Sequence, residues 1–213
     1  MKICIVDDHQ LILDGMGNAL EKQYPQAEIL KVQTVNQAKA LLAETTPDVM
    51  VVDLSLPESE NGPAHVDRGL ELLEFLMQRT PPLPLVVQSS HVKSLIRIKG
   101  LIDRYEAGFT VVDKSQPTQD LLTKISWSLQ GIFSTPPEIR HGLEVKPEWL
   151  DLLQLAFEEG LQDKAIAQRM NLAESTVRKY WTRIQDALSV YPEEGKNIRI
   201  QTERQAREKG LLD

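Results

Sequence analysis

The sequence predicts a doubly wound α/β domain on a five-stranded parallel sheet, followed by a small all-α domain. Three observations carry this. Residues 1–130 repeat a short apolar run and then an amphipathic stretch five times, the pattern of a parallel sheet with helices on both faces. The third run, VMVVDL, is apolar almost throughout, as a strand buried on both faces must be. From Glu148 onward no strand signal survives except the brief Ile198–Ile200.

Taken in order, Ile3–Val6 is a run rich in β-branched residues and reads as a strand. Leu11–Lys22 places apolar residues at 12, 13, 16, 19 and 20, which is helical spacing. Ile29–Val32 reads as the second strand, Asn36–Ala43 as a helix and Val49–Leu54 as the third strand. Gly69–Gln78 offers Leu70, Leu73, Phe75, Leu76 and Met77 to the inner face of a helix. Leu83–Val87 is the fourth strand, Ile96–Glu106 a helix, Phe109–Val112 the fifth strand and Thr118–Leu129 the closing helix. Residues 131–147, with Gly131, Pro136, Pro137, Gly142 and Pro147, read as a linker. Helices follow at about 148–159, 163–170, 174–188 and 198–209. Gly160 and Asn171 suit helix C-terminal caps.

Composition narrows the function classes. The 213 residues suffice for one large or two small domains, and 41% hydrophobic with 26% charged is near the globular average. A disordered chain is excluded, and the lack of a glycine period excludes collagen. No stretch approaches about 18 uninterrupted apolar residues, so no membrane span is expected. MKICIVDDHQ reaches two aspartates by residue 8, unlike a secretory signal. The single cysteine, Cys4, forbids an internal disulfide and a thiolate zinc cluster, and His9, His65, His91 and His141 show no ligand spacing. A soluble, cytoplasmic protein is the expectation. The net charge of −7 gives no global sign of nucleic-acid binding, so that role would need a local patch.

Asp7, Asp8 and Asp53 fall where strands one and three end. In a parallel sheet those ends open on one edge, where such folds place their sites. Three carboxylates there repel unless a cation sits among them. All-oxygen ligation at an open edge suits Mg²⁺. Strand four ends at the hydroxyl of Ser89 and strand five at the ammonium of Lys114. A metal-binding acid cluster, a nucleophile, a hydroxyl and a cation are the parts of phosphoryl transfer. Taken singly, an aspartate after a strand is more simply a helix cap. His9 and His91 flank the edge and read as surface or hydrogen-bonding histidines.

The order Asp7-Asp8, Asp53 followed by Pro57, Ser89 and Lys114 resembles the receiver domain of two-component response regulators, over residues 1–130. The resemblance implies a flavodoxin-like fold. Asp53 would be the phospho-acceptor, taking a phosphoryl group from a sensor histidine kinase. Asp8 and Asp53 would bind Mg²⁺ with the backbone carbonyl of Ser55, and Asp7 would act mainly through water. Ser89 would bond the phosphoryl oxygen and Lys114 would pair with the phosphate. Two departures stand out. Pro57 and Gly69 are twelve positions apart, where receivers use about four, and the extra residues at 58–67 read as a polar surface loop. Val111 stands three before Lys114, where the family normally carries an aromatic switch residue.

In the carboxyl-terminal part, residues 163–183 hold Lys164, Arg169, Arg178, Lys179 and Arg183 against Asp163 and Glu174, a net of +3. The surrounding segment 136–213, with 12 basic and 14 acidic residues, nets −2. A positive stripe on an acidic module is a candidate DNA footprint. Val177, Trp181, Ile184 and Leu188 follow helical spacing and form an inner face. Ser175, Lys179, Thr182 and Arg183 then lie outside, with Arg178 at the margin, in a form suited to the major groove. A solvated helix face is the plainer reading of that segment alone. Gly160, Lys164-Ala165-Ile166-Ala167, Met170-Asn171-Leu172 and Glu174-Ser175-Thr176-Val177 resemble the LuxR-type helix-turn-helix. Together the two resemblances point to the NarL/FixJ class. They imply a receiver at 1–130, a linker at 131–147 and a DNA-binding domain at 148–213. They also imply double-stranded DNA as partner and a homodimer on activation. A Mg²⁺-dependent phosphatase is disfavoured, because Asp53 is followed by Leu54 and Ser55 rather than a second acid two residues on. A phosphorylation-independent regulator or a protein-interaction module stays open.

Overall fold

The computed structural model describes residues 1–213. Contacts divide the chain into two compact units, Met1–Val92 with Gly100–Arg140, and Lys93–Lys99 with His141–Asp213.

In the first unit β1 (Lys2–Val6), α1 (Gln10–Gln23), β2 (Glu28–Val32), α2 (Val35–Glu44) and β3 (Val49–Val52) succeed one another. The short strands β4 (Leu56–Pro57) and β5 (Ala64–His65) then precede α3 (Val66–Met77) and β6 (Leu85–Ser89). A 3₁₀ helix, Val92–Ile98, which from Lys93 groups with the second unit, and a single turn, α4 (Lys99–Ile102), lead to β7 (Phe109–Asp113), α5 (Thr118–Leu129), β8 (Phe133–Ser134) and α6 (Pro137–Arg140). The main sheet runs β2-β1-β3-β6-β7-β8 and is parallel throughout. Its interior strands are buried on both faces. Ile3, Ile5, Val49, Val51, Val86 and Val112 pack with Leu13, Met16 and Leu20 of α1 and Leu121 and Ile125 of α5. The alternate residues Cys4, Val6, Met50, Val52, Leu85 and Val87 are equally buried, which a sheet covered on both sides requires.

The structure corrects four readings. The sheet has six strands rather than five, because Phe133 and Ser134 pair in parallel with Phe109 and Thr110. The Phe133 ring packs on Phe109 at 5.7 Å. The stretch read as a linker therefore begins inside the sheet and continues into α6, where Ile139 is buried. Residues 58–67 are not a plain loop: Leu56 and Pro57 pair antiparallel with His65 and Ala64. Asn36 N–H of α2 donates to Glu58 O, and Gln37 Nε2 to Glu60 Oε1. The helix read over 96–106 is a 3₁₀ segment and one α-turn.

In the second unit α7 (Pro147–Phe157), α8 (Asp163–Arg169), α9 (Glu174–Ala187) and α10 (Ile198–Glu208) form the helical core. Pro147 opens α7 at its first turn, where its missing N–H costs nothing. Gly160 and Asn171 take φ values of 70° and 54°, the left-handed geometry expected of them. The Asn171 kink joins α8 to α9: Leu172 N–H donates to Ala167 O and Asn171 N–H to Gln168 O. Ile198–Ile200, which carried the last strand signal, is the first turn of α10, capped by Asn197 Oδ1.

Candidate functional site

Parallel pairing brings the strand ends into line. Val6 pairs with Val52, and Ser89 with Asp113. Asp53 N–H donates to Val6 O, and Lys114 N–H to Ser89 O. The residue after each strand thus reaches the same edge. Gly69 sets the approach of α3: a Cβ there would lie 2.1 Å from Leu54 O. Only glycine lets the helix lie on the turn that carries Asp53.

Asp7 and Asp53 are 1% and 2% exposed and Ser89 is fully buried. Lys114 Nζ stands 2.6 Å from Asp7 Oδ2 and 2.7 Å from Asp53 Oδ2. Burial pushes the Lys114 ammonium down, but hydrogen bonds to Asp53 and Asp7 outweigh it, and its pKa is raised. The second oxygen of Asp53 accepts the Leu54 N–H at 2.7 Å. Asp7 Oδ1 accepts the His9 N–H at 2.9 Å, and Ser89 Oγ accepts the His91 N–H at 3.2 Å. Asp8 carries an orphaned atom. Its buried Oδ1 accepts no hydrogen bond, although His9 Nδ1 stands 2.6 Å away. One oxygen each from Asp7 and Asp8 and a ring nitrogen of His9 lie within 4.8 Å of one another. A buried carboxylate oxygen that accepts no hydrogen bond is costly, and a hard divalent cation would satisfy it.

On α9, Val177, Trp181 and Ile184 are buried, with Leu188 just beyond. Ser175, Arg178, Lys179, Thr182 and Arg183 are all exposed. Arg169, Arg199 and Arg207 are each paired with an acid. Arg178, Lys179 and Arg183 form no such pair. The Thr182 hydroxyl donates back to Arg178 O.

A family model described as the response regulator receiver domain matches residues 3–126. The chain belongs to the response regulator receiver family. The transcriptional regulatory protein YdfI of Bacillus subtilis is 25% identical over 99% of this chain and 97% of its own length. The DNA-binding transcriptional activator DevR/DosR of Mycobacterium tuberculosis is 26% identical over 86% of each. Among solved structures, the RcsB–DNA complex covers 97% of this chain and 98% of RcsB with a TM-score of 0.60 at 21% identity. RcsB from Salmonella enterica serovar Typhimurium bound to promoter rprA gives 0.58 at 20% identity. These structures share the fold: a parallel α/β receiver and a helical carboxyl-terminal domain.

Within the receiver, Asp7, Asp53 and Lys114 are joined by direct contacts, with Asp8 beside Asp7 and Ser89 fully buried at the end of β6. Ser55 is half-buried in the turn after β3. His9, which the sequence places merely at the flank, contributes both its backbone N–H to Asp7 and its ring beside Asp8. Its 68% exposed ring explains why no burial or spacing pattern marks it. No helix is long and apolar enough to cross a membrane.

Proposed function

We propose that this protein is a phosphorylation-controlled, DNA-binding transcriptional regulator of the NarL/FixJ class. Asp53 takes a phosphoryl group from a sensor histidine kinase, and α9 binds promoter DNA. The observation that carries the reading is the Lys114 ammonium bridging Asp7 and Asp53 at 2.6 and 2.7 Å, in one chain with a helix face of unpaired cations. Phosphoryl transfer needs positioning and charge neutralisation more than covalent work. A carboxylate oxygen of Asp53 attacks phosphorus in line, and the bond from phosphorus to the donor breaks. Leu54 N–H and Lys114 orient the two oxygens of Asp53. Lys114 then pairs with the new phosphoryl group, and Ser89 Oγ donates to one of its oxygens.

Asp7, Asp8, Asp53 and the Ser55 carbonyl fit Mg²⁺, the orphaned Asp8 Oδ1 being the atom that calls for it. When bound, Mg²⁺ neutralises charge on the transferring group. The protein's own covalent chemistry stops at this self-phosphorylation. Phosphorylation promotes a homodimer that presents two copies of α9 to one duplex. Ser175, Arg178, Lys179, Thr182 and Arg183 face the DNA. Lys179 stands opposite the buried seam and reaches base edges, while Arg178 and Arg183 flank it where phosphates run.

Incubation with Mg²⁺ and acetyl phosphate, followed by intact-mass measurement, tests the acceptor. The wild type gains one phosphoryl group and Asp53→Ala gains none. Asp8→Ala gains it slowly, since metal binding is weakened. Uptake by Asp53→Ala at the wild-type rate overturns the assignment. A second reading, regulation without phosphorylation, is favoured by Val111, which is buried and supplies no aromatic ring to move with Ser89. Sizing with and without the beryllofluoride mimic separates the two, because a dimer equal in both states supports the second.

A further inference from the structure

We infer that Asp163, Trp181 and Arg199 form a lock that fixes the roll of α9 about its axis, and so act as positioning residues for sequence-specific DNA recognition. The inference rests on the DNA-binding reading above. Asp163 opens α8, Trp181 sits on the buried side of α9 at 4% exposure, and Arg199 lies in the first turn of α10. A single oxygen, Asp163 Oδ1, accepts both the Trp181 Nε1–H at 3.0 Å and the Arg199 Nη2–H at 2.6 Å. The Arg199 guanidinium covers the Trp181 ring, 3.5 Å from its centroid. Phe157 of α7 meets the same ring edge-on at 5.7 Å. One side chain of α9 is thereby held by residues from α7, α8 and α10.

This matters for recognition because of where Trp181 points. Lys179 precedes it by two positions, about 200° around a helix of 3.6 residues per turn. Whatever fixes the azimuth of Trp181 therefore fixes that of Lys179. The rest of the inner face, Val177, Ile184 and Leu188, is aliphatic and nondirectional. Such a seam tolerates a small roll, since apolar contact has no angular preference. A roll of about 20° at the ~6 Å radius of a helix surface moves a side chain by about 2 Å, enough to break hydrogen-bond geometry. The directional Trp181 hydrogen bond to Asp163 opposes that roll, and Arg199 holds the accepting oxygen in place from α10.

The lock is poorly suited to a role in stability. Asp163 and Arg199 side chains are 31% and 35% exposed, and partly solvated ion pairs contribute little. Its value lies in direction.

The test uses the full-length phosphorylated protein. Wild type selects duplexes from a random-sequence pool, and affinity is then measured for the selected duplex and a scrambled one across several salt concentrations. Asp163→Asn keeps an oxygen for Trp181 but loses the charge that holds Arg199. Arg199→Lys keeps charge but loses the planar stack. Both variants should melt as wild type does and bind the scrambled duplex within about 2-fold. Both should lose about 10-fold on the selected duplex, the size of one good base contact, with unchanged salt slopes. Equal weakening on both duplexes, or no weakening on either, overturns the lock while leaving DNA binding standing. A wild type that enriches no sequence overturns the lock and the DNA-binding reading together.

Discussion

Replacing Lys114 by methionine should destabilise the first unit in a way that Mg²⁺ repairs. The ammonium lies 2.6 Å from Asp7 and 2.7 Å from Asp53. Both acids are nearly inaccessible, and Lys114 itself is 20% exposed. Methionine preserves the apolar stem and leaves two buried carboxylates without a counter-charge. Breaking a buried pair costs about 3–5 kcal/mol. The residual exposure of Lys114 puts the loss at the low end, about 3 kcal/mol. Native-state hydrogen exchange at the β3 amides reads this directly, since those amides open with the unit. Exchange should accelerate by about 100-fold, the equivalent of about 3 kcal/mol. Mg²⁺ at about 100 times its dissociation constant contributes about 2.7 kcal/mol, so it should restore most of the protection. It should act more strongly on the variant than on wild type, where Lys114 repels the ion. A change below about 5-fold, or a larger effect of Mg²⁺ on wild type, refutes the bridging role.

The Lys114 pKa lies above its ordinary 10.5, so its contribution is complete below that pH and is lost as pH rises through the folded value. A base titration of the gap between wild type and Lys114→Met should stay flat from neutrality to about 10.5 and close above it; closure near neutrality contradicts this. Gly69→Ala drives a methyl into the Leu54 carbonyl and should cost about 3 kcal/mol of stability by urea unfolding, in line with overpacking, while slowing phosphoryl uptake at Asp53. A stable, fully active Gly69→Ala protein shows that α3 yields freely. Burial pushes the Cys4 thiol up to about 12, so iodoacetamide at mildly alkaline pH should label the urea-unfolded chain and spare the native one; rapid native labelling places Cys4 outside the core. Lys179→Ala should cost about 1–3 kcal/mol on the selected duplex, and Arg178→Ala or Arg183→Ala should each flatten the salt slope by about one unit. Unchanged affinity in Lys179→Ala and Arg183→Ala removes α9 from the interface.

The strands β1, β3, β6 and β7 were legible because a strand buried on both faces needs a continuous apolar run, and such runs are local. The pocket was legible for a related reason. A parallel sheet puts every strand's carboxyl end on one edge, so Asp7, Asp8, Asp53, Ser89 and Lys114 are neighbours once the strands are found. The outward face of α9 follows from helical period alone: with Val177, Trp181 and Ile184 inside, Lys179 lies outside. What the chain's local pattern could not carry is pairing between distant residues. Two residues, Phe133 and Ser134, have no period; they become a strand only because β7 offers a free edge and Phe109 a ring to pack on. Leu56–Pro57 and Ala64–His65 pair across an insertion whose composition is that of a loop. Asp163 enters a sequence reading as one negative charge and Trp181 as one core aromatic. That a single carboxylate oxygen binds both Trp181 and Arg199 depends on α8, α9 and α10 meeting at one point. Hydrogen bonds act over about 3 Å, so tertiary closure alone decides which atoms come within that range.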